Sequence, residues 1–168
     1  MSNRLATASR APKTLEKSFR QAMGNVATPV SVVTTIEDGL PHGTTVSAFA
    51  SLSMEPAMLL VSLDNSSTLL PRLTVGARFG VNILASHQDQ IALRFAQKRE
   101  SKFGDIPWFV EDEAPRLVDA HAWVALDVTS LIVAGDHTIV IGAVVNAQAS
   151  IGTPLTYYQR AFGTHRTF

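Results

Sequence analysis

A run of hydroxyl groups without a single charge stands in the first third of the chain. Residues 43–53 read Gly-Thr-Thr-Val-Ser-Ala-Phe-Ala-Ser-Leu-Ser, and no formal charge falls between Asp38 and Glu55. Along one extended strand, strict alternation puts Thr45, Ser47, Phe49, Ser51 and Ser53 on one face and Val46, Ala48, Ala50 and Leu52 on the other. A hydroxylic but uncharged face suits a large neutral ring system that must be hydrogen-bonded and desolvated together. Small side chains also let such a ligand approach the backbone closely. The same pattern equally describes an ordinary half-buried barrel strand that turns its Ser and Thr to solvent.

Other kinds of chemistry are missing. No Gly-x-Gly-x-x-Gly follows a strand, and there is no P-loop, His-Glu-x-x-His helix or Gly-x-Ser-x-Gly elbow. The five histidines (His42, His87, His121, His137 and His165) are dispersed without metal-ligand spacing, so no metal site is expected. Glu111, Asp112 and Glu113 form a run that reads as a solvated loop face. With no acid–base or nucleophilic machinery spelled out, an enzyme of this sequence would rely on a bound cofactor.

Composition points the same way. The 168 residues make one domain, 46% hydrophobic and 17% charged, and 14 basic residues balance 14 acidic ones. That neutrality argues against nucleic acid or a membrane surface as partner. Without cysteine there is no disulfide, thiolate nucleophile or iron–sulfur cluster. Residues 1–13 lack the apolar core of a secretory signal and are expected to be a flexible tail before a single domain over 14–168, in a cytoplasmic protein.

The elements that must hold the hydroxyl segment read as mainly β. Thr14 is placed as the N-cap of a helix carrying Leu15, Phe19, Ala22 and Met23, ended by Gly24. Pro29 opens a β-branched strand that Glu37-Asp38-Gly39 turns back into the hydroxyl strand. Residues 57–63 form a strand apolar enough to be buried on both faces. The loop from Asp64 to Ser67 leads to a short helix through Leu73, and Phe79 to Leu84 is a strand. A helix follows from Asp89 to Ala96 with Ile91, Leu93 and Phe95 inward, and residues 97–113 form an exposed, charged excursion. Two long strands, 120–132 and 138–147, flank the turn Ala134-Gly135-Asp136-His137. About six strands with few helices predict a small closed or split barrel rather than a doubly wound sheet.

Several segments, in order, resemble the short-chain flavin reductase family. They are Pro29-Val30-Ser31-Val32-Val33-Thr34-Thr35; the hydroxyl segment; Phe79-Gly80-Val81-Asn82-Ile83-Leu84 followed by Gln88, Gln90 and Arg94-Phe95-Ala96; Ser101-Lys102-Phe103; and Gly135-Asp136-His137 with Gly142. The likeness runs over about residues 15 to 163 and departs at Ala48, where many relatives have a second Ser, and at Met54-Glu55-Pro56-Ala57, where a Pro-Pro pair is common. It implies a split β-barrel of the flavin-binding type with a few short α-helices, forming a homodimer with the flavin near the subunit interface. It also implies hydride transfer from NADH or NADPH to FMN or FAD, the reduced flavin then passing to a separate monooxygenase.

On that resemblance Thr45, Val46, Ser47 and Ala48 line the isoalloxazine and ribityl chain, partly through backbone N–H groups. Ser62, Asn65 and Thr68 serve the ribityl or phosphate, or else act only as strand end and helix cap. Ala85 and Gln90 contribute nearby; Ser101, Lys102 and Phe103, with Arg94, meet the phosphate. His137 contacts the nicotinamide, or merely supports its turn, while Pro29 and Val30 with Tyr157 or Tyr158 form a nicotinamide shelf. A flavin-binding electron carrier without a nicotinamide reaction, and a cofactor-free interaction module, remain as alternatives.

Overall fold

The computed structural model describes residues 12–99 and 101–167. In chain order its elements are α1 (Lys13–Met23), β1 (Thr28–Pro29), β2 (Ser31–Glu37), β3 (Leu40–Val46), β4 (Phe49–Met54), β5 (Ala57–Asp64), a short 3-10 helix (Leu70–Arg72), β6 (Arg78–Ile83), α2 (Asp89–Ala96), β7 (Trp108–Glu111), β8 (Ala114–Leu117), β9 (Ala122–Ala134), β10 (His137–Ala149), β11 (Leu155–Tyr158) and β12 (Ala161–Thr164).

The β-branched run of β2 is buried through its first five residues because it lies between two cores. Val33 faces the barrel interior with Val46, Val61, Phe79 and Val140, whereas Val32 faces an outer core with Leu84, Phe95 and Leu117. Asp38 and Gly39 both take positive φ, 52° and 74°, as a tight hairpin requires, and β3 returns in register from Glu37↔Leu40 to Ser31↔Val46.

The continuous strand expected over residues 43–53 does not form. β3 stops at Val46, the chain steps through Ser47 and Ala48, and β4 begins at Phe49. Val46 is 5% exposed in the inner core and Phe49 packs against the same cluster. Residues three apart cannot share a face of one strand, so the step between them is forced by packing. It also closes the architecture. The seven-stranded sheet runs β3-β2-β6-β9-β10-β5-β4, so β3 and β4 are its opposite edges. Two residues join those edges and Ser62 N–H donates to the Ala48 carbonyl at 2.8 Å, so the sheet curls back on itself as a split barrel.

Several other expectations need correcting. β5 is buried on one face only, through Leu59, Val61 and Leu63, with Met58, Leu60 and Ser62 half-covered on the other. On α2 the buried pair is Ala92 and Phe95, three apart on one helical face, while Leu93 is 47% exposed. The segment 97–113 is not uniformly exposed. Lys102 and Phe103 are buried, and the Phe103 ring stands edge-on to Phe95 at 4.9 Å and Trp108 at 5.4 Å. Buried Asn82 clasps the β7–β8 hairpin to the sheet, accepting from Leu117 N–H at 2.7 Å and donating to the Val32 and Pro115 carbonyls.

The described residues hold twelve strands rather than about six, because β1, β7, β8, β11 and β12 are too short to show a period. β1, β11 and β12 form a separate three-stranded sheet. α1 starts at Lys13 with Pro12 at its N-cap and no side-chain cap, so Thr14 lies inside the helix rather than capping it. Residues 1–11 of that tail lie outside the described residues. The apolar stripe of α1 is as spaced, but Leu15, Phe19 and Met23 are 58%, 65% and 49% exposed. Among the described residues no helix is long and apolar enough to cross a membrane.

Candidate functional site

The step at Ser47 and Ala48 is exposed and forms one wall of a cleft of about 220 Å³. Thr44, Thr45 and Val46 continue that wall; Ser62, Leu63 and Asp64 from the end of β5, with Ser67, make the floor; and His137, first residue of β10, closes the far side. Leaving β3 frees the amides of Ser47 and Ala48 from any ladder, and neither donates to a carbonyl among the described residues. Two unpartnered N–H groups thus sit at the lip of a cleft whose side chains are small. Exposed amides of this kind are ready donors for an oxygen or nitrogen that gains negative charge. The Thr45 hydroxyl points the other way, donating to the Ala92 carbonyl of α2 at 2.7 Å, so Thr45 offers the cleft its backbone rather than its O–H proton.

His137 is positioned by a neighbouring loop. Its side chain is 43% exposed and Nδ1 lies 2.8 Å from Asp136 Oδ1, which leaves Nε2 as the ring's unengaged nitrogen. Asn65 ties down the turn in front of it: its backbone N–H donates to the Asp136 carbonyl at 2.9 Å and Nδ2 to the Gly135 carbonyl at 3.3 Å, while Oδ1 accepts from Thr138 Oγ1 at 2.8 Å. Asp64 pairs with His137 across β5 and β10. Hydrogen bonds from the Ser66 side chain and backbone hold the Asp64 carboxyl below the usual carboxylate range, so it is charged at neutral pH.

Next to Ser67 the surface passes Thr68 into a larger cavity of about 890 Å³, lined by Leu40, Pro41, His42, Thr68, Pro71, Arg72, Lys98, Arg99, Ser101, Lys102 and Phe103. Lys102 is 8% exposed, and its Nζ donates to the Gly43 carbonyl at 3.1 Å and the Phe95 carbonyl at 2.9 Å. Burial pushes its pKa below the ordinary lysine value. The lysine therefore staples the excursion to β3 and α2, with one of its three N–H donors left for the cavity. Arg72 Nε approaches Glu37 Oε2 at 2.9 Å in a Coulombic contact that does not meet hydrogen-bond geometry, and its Nη1 donates to the Thr68 carbonyl.

The residues expected at the site from sequence divide into two groups. Thr45, Val46, Ser47, Ala48, Ser62 and His137 meet at the cleft; Thr68, Ser101, Lys102 and Phe103 meet at the basic cavity; Asn65 lies behind the turn. The others line neither. Val30 is 2% exposed within the outer core, so its side chain presents no shelf, and Pro29 pairs with Thr156 on β11. Tyr158 ends β11, with Tyr157 against Phe162 at 5.3 Å. Ala85 N–H donates to Gln88 Oε1, and exposed Gln90 donates to its neighbour Asp89. Arg94 is engaged with Asp105. Thr44, Leu63, Asp64 and Ser67, together with His42, Arg72, Lys98 and Arg99, are site residues that spacing did not single out. The adjacency of Lys98 and Arg99 in sequence was a signal, read there only as a charged loop.

Residues 23–166 match the family described as flavin reductase like domain. The chain belongs to that family. A flavin reductase-like relative, the reductase component of a 4-nitrophenol 4-monooxygenase/4-nitrocatechol 2-monooxygenase from Rhodococcus opacus, is 37% identical over 145 residues, 86% of this chain and 78% of that protein. The NADH-dependent FMN reductase SmoA of Agrobacterium fabrum is 35% identical over 148 residues, 88% of this chain and 84% of that protein. Two other curated relatives are longer, and the chain spans 48% and 49% of them. Among solved structures, the Streptomyces globisporus C-1027 NADH:FAD oxidoreductase SgcE6, in complex with NAD and FAD fragments, superposes with a TM-score of 0.84 at 27% identity, covering 96% of this chain and 97% of that one. The split barrel derived above is thus the architecture of a flavin reductase-like domain.

Proposed function

We propose that the chain is an NADH:flavin oxidoreductase whose cleft holds the flavin ring and whose product, reduced flavin, serves a separate monooxygenase. The observation that carries this reading is the pair of unpartnered amides at Ser47 and Ala48, facing His137 across a cleft of small side chains. When bound, FMN or FAD accepts the hydride that NADH gives up and carries the electron pair away.

The chain's own groups bind and orient. The Ser47 and Ala48 N–H groups hold the pyrimidine edge, where negative charge gathers on reduction. Ala48, with no hydroxyl and a methyl side chain, lets the ring lie against the backbone. Ser62, Ser67 and Thr68 offer hydroxyls to the ribityl chain and first phosphate, along a path already bordered by both cavities. His137 stands at the mouth with Nε2 turned to no internal partner, suited to the carboxamide or ribose of the nicotinamide nucleotide. Hydride transfer then needs proximity and exclusion of water rather than a strong acid. Asn65 acts as a positioning residue for that histidine.

The exposed stripe of α1 (Leu15, Phe19 and Met23) supports a homodimer, and the reliance on NADH fits a cytoplasmic setting. The test mixes purified protein with FMN or FAD and NADH or NADPH and follows reduced-nicotinamide absorbance against a flavin-only control. Oxidation well above the control is expected, NADH outpacing NADPH. Clear flavin binding without oxidation would make the protein an electron carrier instead.

A further inference from the structure

A polar side chain buried in an apolar strand must find a partner, and the partner of Ser31 is informative. Ser31 is the single polar residue in Pro29-Val30-Ser31-Val32-Val33 and is 0% exposed. Its hydroxyl donates to the Val46 carbonyl at 2.9 Å. Ser31↔Val46 is the last pair of the β2–β3 ladder, so this carbonyl is the final one before the chain breaks away at Ser47. A trans peptide is planar, with its C=O and N–H directed oppositely. Holding the Val46 carbonyl toward β2 therefore directs the Ser47 N–H away from β2 and leaves it free at the lip of the cleft. Val46 has little room to swivel, since its side chain is 5% exposed in the inner core. Beyond the step, the Ala48 carbonyl is tied to β5 by the Ser62 N–H at 2.8 Å. The corner is thus pinned at both ends, and Ser31 supplies the pin nearer the Ser47 amide.

We propose that Ser31 is a positioning residue, whose buried hydroxyl aims the Ser47 amide at the cleft and so favours the reduced flavin over the oxidised one. The proposal rests on the flavin reading of the cleft, in which that amide meets the pyrimidine edge. A hydrogen bond strengthens with the charge on its acceptor, so an amide aimed where negative charge gathers holds the reduced ring more tightly. Misaiming the amide should therefore weaken reduced flavin more than oxidised flavin. A side chain that only filled space in β2 would weaken both alike.

The experiment compares the wild type with Ser31→Ala and with Thr34→Val, a matched loss of a buried hydroxyl on the same strand that donates instead to the Pro115 carbonyl. Oxidised FMN and FAD are titrated by flavin fluorescence, and the reduced forms by equilibrium dialysis without oxygen, with circular dichroism as the check of fold. Ser31→Ala should raise the dissociation constant of reduced flavin on the order of tenfold and that of oxidised flavin less than about twofold. The residual dipolar coupling of the Ser47 N–H, read by NMR without flavin, should change in Ser31→Ala and stay the same in Thr34→Val. Should Ser31→Ala fail to fold, Ser31→Cys keeps the shape with a weaker donor and carries the same test. Equal weakening of both flavin states, an unaltered Ser47 coupling, or the same selective loss in Thr34→Val overturns the proposal. A wild type that binds neither FMN nor FAD would sink the flavin reading, while the dipolar coupling still decides whether Ser31 aims the amide.

Discussion

The imidazole of His137 reaches the cleft because Asn65, on a different loop, holds the turn that presents it. The two residues should therefore fail in related ways. His137→Ala should raise the KM for NADH on the order of tenfold, about 1.4 kcal/mol, with flavin affinity nearly unchanged. Steady-state kinetics beside flavin titration checks this, and equal loss of both affinities would refute the assigned role. Asn65→Ala removes two side-chain hydrogen bonds, at about 0.5–1.5 kcal/mol each, and should raise the same KM by a smaller factor. Should flavin affinity fall further than nicotinamide use, Asn65 contacts the flavin directly and is not a positioning residue. Lys102 shows how little a residue type says alone: a cation within a segment expected to be exposed bonds two internal carbonyls and keeps one donor for the cavity.

Among the elements, the break between β3 and β4 does most to create the site. It frees two amides, turns the chain between opposite sheet edges and brings β5 and β10 up against the gap. The rest of the barrel has little slack with which to adjust. A Cβ on Gly80 of β6 would lie 2.0 Å from the ring of Trp123 on β9, a buried and well-packed indole that cannot swing away. Gly80→Ala should cost about 3 kcal/mol or more, read as a lower denaturant midpoint at constant m-value. An unchanged midpoint would mean that β6 and β9 can slide apart, contrary to their continuous six-pair register. Such elements were partly legible beforehand. The β2–β3 hairpin and α2 follow from local signals, Asp38-Gly39 and a helical period. The β3–β4 step is invisible because Ser47 and Ala48 fit an extended chain as well as a corner; only the shared burial of Val46 and Phe49 decides it.

For the molecule as a whole, acid should act through carboxylates held by local partners. Hydrogen bonds from Ser66 lower the pKa of Asp64, and Arg94 lowers that of Asp105, each from an ordinary 3.8. The unfolded chain then binds more protons than the native one between the lowered and ordinary values. Both groups thus contribute stability that is present above about pH 4 and is lost as pH falls through their lowered values. Asp64→Asn and Asp105→Asn should each flatten the fall in melting temperature between pH 5 and 3. A slope unchanged in both variants would remove these groups from the account. The exposed stripe of α1 makes a second prediction at this scale. Sedimentation should give twice the 18.1 kDa chain mass, and Phe19→Glu with Met23→Glu should shift it toward one. A monomeric wild type would contradict the dimer.

Amino-acid order alone settled the β-rich class, both helices and two of the hairpin turns, because periods and turn residues act over a few positions. Tertiary structure decided where the hydroxyl strand breaks, that Lys102 is internal and that Lys98 and Arg99 face a cavity with an apolar wall. It also separated the Pro29–Val30 shelf, Ala85, Gln90 and Tyr158 from the cleft. Those outcomes depend on which distant strands pair and which faces compete for the same core, and no local pattern of residues carries that information.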